Sequence, residues 1–185
     1  MSIEIVQDAE RRMQKAVDAA QSDFATIRTG RANPVVVENL KVDYYGTPTP
    51  LQQLAGISVP EPRQLIVTPW DRSIINTILK AIQTADIGMT PMSDGNMIRM
   101  NVPPLTEERR KELIKQLHKR AEEHRVAVRN VRRDANDHIK AQQKNSEITE
   151  DDEKHEQDET QKLTTKYIAE IDKLTAAKEV ELKEV

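Results

Sequence analysis

The fold is decided by residues 103–144, which read PPLTEERRKELIKQLHKRAEEHRVAVRNVRRDANDHIKAQQK. The two prolines end whatever precedes them, Thr106 can cap a helix, and Glu107 and Glu108 favour the positive end of a helix dipole. Residues 105–185 contain neither proline nor glycine. The stretch therefore predicts one uninterrupted helix that runs to about Lys144 and is on the order of 60 Å long.

Three long segments carry apolar stripes at helical spacing. The first stripe lies in residues 1–30. The second lies in the helix just described and comprises Leu113, Leu117, Ala121, His124, Val128, Val131, Ala135 and Ile139. The third follows a capping-box start at Thr149 and Asp152, and it comprises Leu163, Tyr167, Ile171 and Leu174. Each stripe needs partners, so the segments predict a three-helix bundle. A dimeric coiled coil of the C-terminal half is the weaker alternative, because it would leave the first helix unpaired.

The middle of the chain has a different character. All nine prolines and four of the five glycines lie in residues 34–104. Residues 35–37, 40–45, 65–67 and 97–102 are rich in strand-forming side chains, and residues 73–85 have helical spacing. Residues 46–48 and 94–96 have turn composition. The segment is therefore predicted to be a small α/β domain.

These predictions combine into an α+β protein of two domains. An elongated antiparallel three-helix bundle comprises residues 1–30 and 105–185, and residues 31–104 form an inserted α/β domain of the β/α/β sandwich type. Two chain connections join them, at residues 30–31 and 103–105. Because both connections are short, we expect them to act as a hinge.

Formal charge is unevenly distributed along the chain. The total is −3, yet residues 105–145 hold twelve Lys and Arg against seven Asp and Glu. Residues 146–185 hold six against thirteen. The second long helix is therefore basic and the third is acidic.

The basic helix also sorts its charges by face. At about 100° per residue, one arc of roughly 100° collects Arg125, Arg129, Arg132, Arg133, Asn136 and Lys140. Arginine suits bidentate phosphate contacts, and no aromatic residues are interleaved. The face therefore predicts phosphate and shape recognition of folded RNA rather than base stacking. The alternative is a solvated face with salt bridges to the acidic helix, and charge alone favours neither.

No catalytic or metal-binding constellation is visible in the sequence. Cysteine is missing, which excludes disulfides and Cys-ligated metals. His155 and Glu156 begin like a zincin motif, but Glu159 stands where the second histidine is required. The remaining histidines, His118, His124 and His138, are too scattered for a metal site. We therefore expect no enzyme activity, no metal and no cofactor.

The N-terminus and the hydropathy predict the compartment. The first residues lack the basic start and apolar run of a signal peptide and the Arg- and Ser-rich character of a transit peptide. No apolar run approaches membrane-spanning length. A cytoplasmic protein without membrane contact is expected.

Six motifs resemble the bacterial ribosome recycling factors. They are residues 27–34 (IRTGRANP), 44–51 (YYGTPTPL), 70–73 (WDRS), 103–111 (PPLTEERRK), 125–137 (RVAVRNVRRDAND) and 148–152 (ITEDD). These motifs span nearly the whole chain. The interior of the first helix and the last dozen residues match the family in pattern only.

The resemblance implies a function that composition does not give. Members of that family bind the large ribosomal subunit after termination and, with elongation factor G and GTP, split the ribosome into subunits. The resemblance places Arg129, Arg132 and Arg133 on large-subunit ribosomal RNA, a set that the basic face extends to Arg125 and Lys140. It implies that elongation factor G acts on the inserted domain of a monomer. It also places Arg28 and Arg31 near the hinge, whose other expected members are Gly30, Pro103 and Pro104.

A different class of function remains open from the residues alone. A helical adaptor, whose basic and acidic helices meet other helices, would have the same charge pattern. Such an adaptor would bind with little salt dependence and would not co-sediment with ribosomes.

Overall fold

The computed structural model describes residues 2–184 and confirms the expected fold class. The chain divides into two compact units. The helical unit contains the chain up to Arg28 together with Glu107–Glu184, and the α/β unit contains Thr29–Thr106. The limits predicted from the sequence, 30–31 and 104–105, lie two residues from these boundaries, and their use as a hinge stays a prediction.

The helical unit consists of α1 (Ser2–Ala25), α4 (Glu107–Lys144) and α5 (Glu150–Lys183). Ion pairs show that α4 is antiparallel to both other helices. Arg12 of α1 pairs with Asp134 of α4, and Asp23 of α1 pairs with Arg120 of α4, so the start of α1 meets the end of α4. His118 and Arg125 of α4 pair with Glu179 and Asp172 of α5, in the same antiparallel order. Helix α4 ends at Lys144, as predicted, and its 38 residues make it about 57 Å long.

The bundle core follows the predicted stripe of α4 and most of that of α1, in which Val17 is buried and the predicted Ala16 is half-buried. The buried side chains of α4 are Leu113, Leu117, Ala121, Val128, Val131, Ala135 and Ile139. His124 was also placed on this stripe, but its ring is only partly buried and its Nε2 lies 2.9 Å from Oδ2 of Asp23. The imidazole therefore lies at the edge of the core, where it joins α4 to α1.

The buried stripe of α5 is more polar than the sequence predicted. Tyr167 and Ile171 are buried as expected, whereas Leu163 and Leu174 are half-buried. Most of the remaining buried positions are threonines: Thr160, Thr164 and Thr175. Each threonine hydroxyl donates a 2.8 Å hydrogen bond to the carbonyl four residues earlier. Because the helix backbone satisfies these hydroxyls, threonine can line the core here.

The turn between α4 and α5 ends in the predicted capping box. The Thr149 hydroxyl accepts from the Asp152 amide, and the Asp152 carboxylate accepts from the Thr149 amide, both at 3.1 Å. Four acidic residues in the first turn of α5 complement the helix dipole. The sequence therefore specified this helix start locally.

The α/β unit is built from one longer helix, one short helix and six strands. The helices are α2 (Val35–Glu38) and α3 (Ile75–Thr84). The strands are β1 (Lys41–Tyr44), β2 (Thr47–Pro50), β3 (Ala55–Glu61), β4 (Gln64–Pro69), β5 (Thr90–Ser93) and β6 (Ile98–Asn101). All strand pairs are antiparallel: β1 with β2, and a four-stranded sheet in the order β3-β4-β6-β5. Helix α3 packs against β1 and β5, which agrees with the predicted sandwich.

The prediction of a strand at residues 35–37 is wrong, because these residues begin α2. Pro34 already has helical torsions, φ −56° and ψ −33°. The Asn33 side chain accepts a 3.1 Å hydrogen bond from the Val35 amide. An Asn-Pro pair is a favourable helix start, and it overrides the strand preference of three valines.

The sequence also missed three strands, β2, β3 and β5, each of which contains proline. Strand β2 contains Pro48 and Pro50, β3 contains Pro60, and β5 contains Pro91. Strands β3 and β5 are the two edges of the four-stranded sheet, and β2 belongs to a two-stranded sheet. Edge strands tolerate proline because one side of their backbone makes no ladder hydrogen bonds. The predicted turn at residues 46–48 lies one residue earlier, at Tyr45 and Gly46.

The core of the α/β unit lies between its sheets and α3. The fully buried side chains include Leu51, Leu65, Ile78, Ile82, Ile98 and Met100. Among residues 2–184, none of the helices has the length and apolar content needed to cross a bilayer.

Candidate nucleic-acid interface

Helix α4 carries the predicted basic side chains at spacings that keep them beside the core stripe. Arg125, Arg129 and Arg132 are half-buried, whereas Arg133 and Lys140 are exposed. The helix thus presents cations to solvent along about four turns. Their partners divide them into two groups.

Arg125 and Arg129 are neutralised by carboxylates. Nε of Arg125 lies 2.7 Å from Oδ1 of Asp172 in α5, and its Nη1 lies 3.2 Å from Glu122. Nη1 of Arg129 lies 2.7 Å from the other oxygen of Glu122. One carboxylate therefore joins two arginines, and Arg125 also ties α4 to α5.

The ionisation of these groups reflects the same contacts. Hydrogen bonds from Arg129 and then Arg125 lower the pKa of Glu122 below its ordinary value. For Arg125, burial by itself would lower the pKa, but the hydrogen bonds that its guanidinium donates to Asp172 and Glu122 outweigh burial and raise the pKa. The salt-bridge alternative therefore describes Arg125 and Arg129.

The other three cations have no carboxylate partner among the described residues. Nη1 of Arg132 donates a 3.1 Å hydrogen bond to Oε1 of Gln161, a neutral amide in α5. Arg133 and Lys140 are exposed and make no ion pair or hydrogen bond within residues 2–184. Asn136, which the sequence placed on the same face, has a buried Oδ1 without a partner there. Arg132, Arg133 and Lys140 can therefore bind anionic partners without breaking an internal ion pair.

The surrounding chemistry suits phosphate better than bases. The aromatic side chains of the helical unit, Phe24 and Tyr167, are both buried. Among the acidic residues of α4, Glu122 is occupied by Arg125 and Arg129, and Asp134 is engaged by Arg12 at 2.8 Å. Guanidinium and ammonium groups without stacking partners recognise backbone charge and shape rather than sequence.

Sequence reasoning missed the residues that hold the arginines. It did not consider Glu122, which stands three residues before Arg125 and seven residues before Arg129. That spacing was a usable signal, since residues three, four and seven apart share a helix face. Gln161 and Asp172 had no such signal, because their contacts depend on the register between α4 and α5.

The proposed hinge residues lie at the ends of the two units. Arg28 is the last residue of the first stretch of the helical unit, and Gly30 has φ 76°, in the left-handed region that favours glycine. Arg31 is exposed. Pro103 and Pro104 are exposed and line an open cleft of about 780 Å³ within the α/β unit.

Histidine and carboxylate groups do not form a metal cluster within residues 2–184. His118 and His124 each contact one carboxylate across the bundle, Glu179 at 3.0 Å and Asp23 at 2.9 Å. Arg120 also contacts Asp23, at 3.1 Å. These contacts join helices and do not assemble a reactive centre.

Comparisons with known proteins agree with the motifs found in the sequence. A family model described as "Ribosome recycling factor" matches residues 20–182. A ribosome-recycling factor of Desulforamulus reducens is 55% identical over 182 residues, covering 98% of each chain. The homologue from Bacillus subtilis strain 168 is 53% identical over the full length of both chains.

Two solved structures are also similar to this chain. A solution structure of the ribosome recycling factor has a TM-score of 0.79 and 46% identity, covering 100% of this chain and 98% of the other. The second is the Thermus thermophilus factor, described with Escherichia coli elongation factor G bound to the E. coli post-termination complex. It has a TM-score of 0.66 and 42% identity, and 98% of each chain is covered.

Proposed function

The chain belongs to the ribosome recycling factor family, and we propose that it binds the post-termination ribosome and, with elongation factor G and GTP, promotes its dissociation into subunits. The structural relative described with elongation factor G on a post-termination complex supports this proposal. The chain itself hydrolyses nothing in this scheme. It acts in the cytoplasm as a monomer, free of cofactors and metals.

The proposed contact with the ribosome is large-subunit ribosomal RNA on the basic side of α4. The observation that carries this part is that Arg133 and Lys140 are exposed without a partner within residues 2–184, and Arg132 has only a neutral one. Releasing them costs no internal ion pair, so phosphate contacts add directly to binding. Arg125 and Arg129 contribute in a different way, because phosphate must replace the Glu122 or Asp172 carboxylate.

The inserted α/β unit is proposed to receive the action of elongation factor G. Arg28, Gly30, Arg31, Pro103 and Pro104 would form the hinge that lets this unit move. A stiff bundle of long helices would then transmit force from the α/β unit to the bridges between the subunits. In this scheme the chain transmits force and catalyses no reaction itself.

Salt dependence provides the first test. The affinity for ribosomes is measured by co-sedimentation across a series of KCl concentrations. Three phosphate contacts predict a slope of log affinity against log salt of roughly −2 to −3. A slope near zero would instead support the helical adaptor.

A variant at Arg133 provides the second test. Arg133→Ala should weaken ribosome binding and reduce the salt slope by about one, while the free energy of unfolding changes by less than about 0.5 kcal/mol. Lys15→Ala is the matched control, since Lys15 is an exposed cation on α1 without a partner among the described residues. Equal effects of both variants would contradict a specific site on α4.

A further inference from the structure

Aromatic side chains are rare in this protein and are concentrated in one place. The sequence has one Trp, one Phe and three Tyr. Three of these five, Tyr44, Tyr45 and Trp70, lie in the α/β unit. Tyr45 and Trp70 are 78% and 71% exposed, the two most exposed large apolar side chains among the described residues. Exposed aromatic groups cost solvation free energy and are typical of binding surfaces.

Local contacts restrain both aromatic residues. Tyr45 has φ 49° in the turn between β1 and β2, a left-handed conformation that a bulky residue rarely adopts. Its ring packs edge-to-face against Tyr44, with centroids 4.7 Å apart. The Trp70 amide donates a 3.0 Å hydrogen bond to the Leu54 carbonyl. Backbone strain at an exposed aromatic residue is a common feature of functional sites.

One side of the Trp70 ring rests on a glycine. A Cβ placed on Gly56 would lie 3.3 Å from Cη2 of Trp70, which is tighter than ordinary van der Waals contact. The ring therefore packs on the bare backbone of β3, and its remaining surface faces solvent. A ring held against backbone loses little conformational entropy when a partner covers it.

Two carboxylates belong to residues that neighbour the ring-bearing residues along the chain, and neither has an ion-pair partner among the described residues. Oδ1 of Asp43 accepts a 2.8 Å hydrogen bond from the Gly46 amide, in the turn that holds Tyr45. Oδ1 of Asp71 accepts from the amide and hydroxyl of Ser73, at 2.9 Å and 2.7 Å. Neither carboxylate forms an ion pair within residues 2–184, although the exposed Arg72 is next to Asp71 in sequence.

Hydrogen bonds orient both carboxylates. An asparagine side chain could accept the same bonds, so Asp→Asn removes the charge and keeps the local hydrogen bonding. The Ser73 hydroxyl and amide lower the pKa of Asp71, with a smaller contribution from the Tyr45 hydroxyl. Asp71 is therefore negative at neutral pH. These charges repel a nucleic-acid backbone. A cationic side chain can instead form hydrogen bonds with the carboxylates and cation–π contacts with the rings.

We propose that Tyr45, Trp70, Asp43 and Asp71, here called the aromatic–acidic patch, form a docking surface for an arginine-bearing protein segment. A guanidinium group stacks on the rings and pairs with the carboxylates. The inference rests on the proposed function, because the partner is a protein of the recycling complex. It adds to that function a defined protein-binding surface on the α/β unit.

A fluorescence titration tests the ligand chemistry without ribosomes. Trp70 is the sole tryptophan, so its emission reports directly on the patch. The full chain is titrated with a short peptide of alternating Gly and Arg, and with the same peptide carrying citrulline in place of Arg. The arginine peptide should change the Trp70 emission in a saturable way. The affinity obtained from this change should be at least about tenfold weaker in the Asp43→Asn, Asp71→Asn double variant. An equal response to both peptides, or none, would overturn the proposal.

Photo-crosslinking tests the patch in the assembled complex. Arg72→p-benzoylphenylalanine places a probe beside the rings and leaves both of them intact. Met92→p-benzoylphenylalanine is the control, because Met92 is 68% exposed on β5, at the opposite sheet edge from Gly56. Both variants are irradiated on purified post-termination ribosomes with elongation factor G and GTP.

Position 72 should crosslink to a protein segment that contains arginine, with a yield at least about fivefold above position 92. Adding Trp70→Ala should abolish the difference. Crosslinks to RNA would favour base stacking and overturn the proposal, as would a yield no greater than at position 92. Failure of both variants and the unmodified chain to co-sediment with ribosomes would instead reject the proposed function, while the peptide titration would still decide the patch.

Discussion

At the scale of single residues, the cations of α4 differ in what must be displaced before an anion can bind. Arg125 and Arg129 already have carboxylate partners, and Arg132 has an amide. A neutral partner orients a guanidinium without offsetting its charge. Gln161 is therefore expected to be a positioning residue for Arg132.

Substitution of Gln161 tests this role. Gln161→Ala should weaken ribosome binding about twofold to fivefold, because Arg132 must then be ordered on binding. Gln161→Glu should weaken it further, since a new carboxylate would pair with Arg132 and repel phosphate. Co-sedimentation at fixed salt measures the order: wild type, then Ala, then Glu. Tighter binding by the Glu variant would contradict a phosphate contact at Arg132.

At the scale of secondary structure, the N-terminal cap of α5 makes a contribution to the free energy of unfolding that can be measured. Thr149→Ala removes the hydroxyl that accepts from the Asp152 amide, and should cost about 1 kcal/mol of unfolding free energy. Thr165→Ala is the control, because this exposed threonine lies in the middle of the same helix. Urea unfolding followed by circular dichroism measures both. A cap that contributes nothing would give the two variants equal stability.

The cap also has a pH dependence. Hydrogen bonds from Thr149 lower the pKa of Asp152 from its ordinary value of 3.8. A depressed folded-state pKa stabilises the fold above the unfolded value, and that stabilisation is lost as the pH falls through the folded pKa. The difference between Thr149→Ala and wild type should therefore shrink as the pH falls below about 4.

The threonines of α5 allow a second test at this scale. Thr164 is buried, and its hydroxyl bonds only the Thr160 carbonyl. Thr164→Val keeps the shape and removes a hydroxyl that needs a partner, so its stability should lie within about 1 kcal/mol of wild type. Thr164→Ser loses a buried methyl group and should cost about 1 kcal/mol. A valine variant less stable than the serine variant would show that the hydroxyl has another role.

At the scale of the whole molecule, lowered carboxylate pKa values occur in both units. In the helical unit, hydrogen bonds from Lys162 and Lys183 lower the pKa values of Glu159 and Glu179. In the α/β unit, the Asn96 backbone amide lowers the pKa of Asp94. The ordinary values are 4.5 for these glutamates and 3.8 for the aspartate.

These shifts predict how the stability of the protein changes with pH. Because the folded pKa values lie below the unfolded ones, their stabilising contribution is complete above about pH 5 and falls as the carboxylates protonate. Urea unfolding at pH 7, 5, 4 and 3 should show little change between the first two values and a steady loss below pH 4. Greater stability at pH 3 than at pH 7 would contradict the carboxylate contacts described for both units.

Much of the fold could be predicted from local patterns. The absence of breakers from residues 105–185 and the capping box at Thr149 specify long helices wherever they pack. The apolar stripes of α1 and α4 specify which side is buried. The motifs identified the family, which the comparisons confirm. These features depend on neighbours within a few residues, so the sequence by itself determined them.

Other features depended on contacts between distant residues. Proline-containing β2, β3 and β5 are strands because they lie at sheet edges, a position that no local pattern specifies. The meeting of Arg125 with Asp172, and of Arg132 with Gln161, follows from the register of α4 against α5. Helical periodicity decides the face a cation occupies, whereas only tertiary packing decides whether a carboxylate stands opposite it. For this reason the sequence located the basic face, and the structure separated its neutralised cations from its free ones.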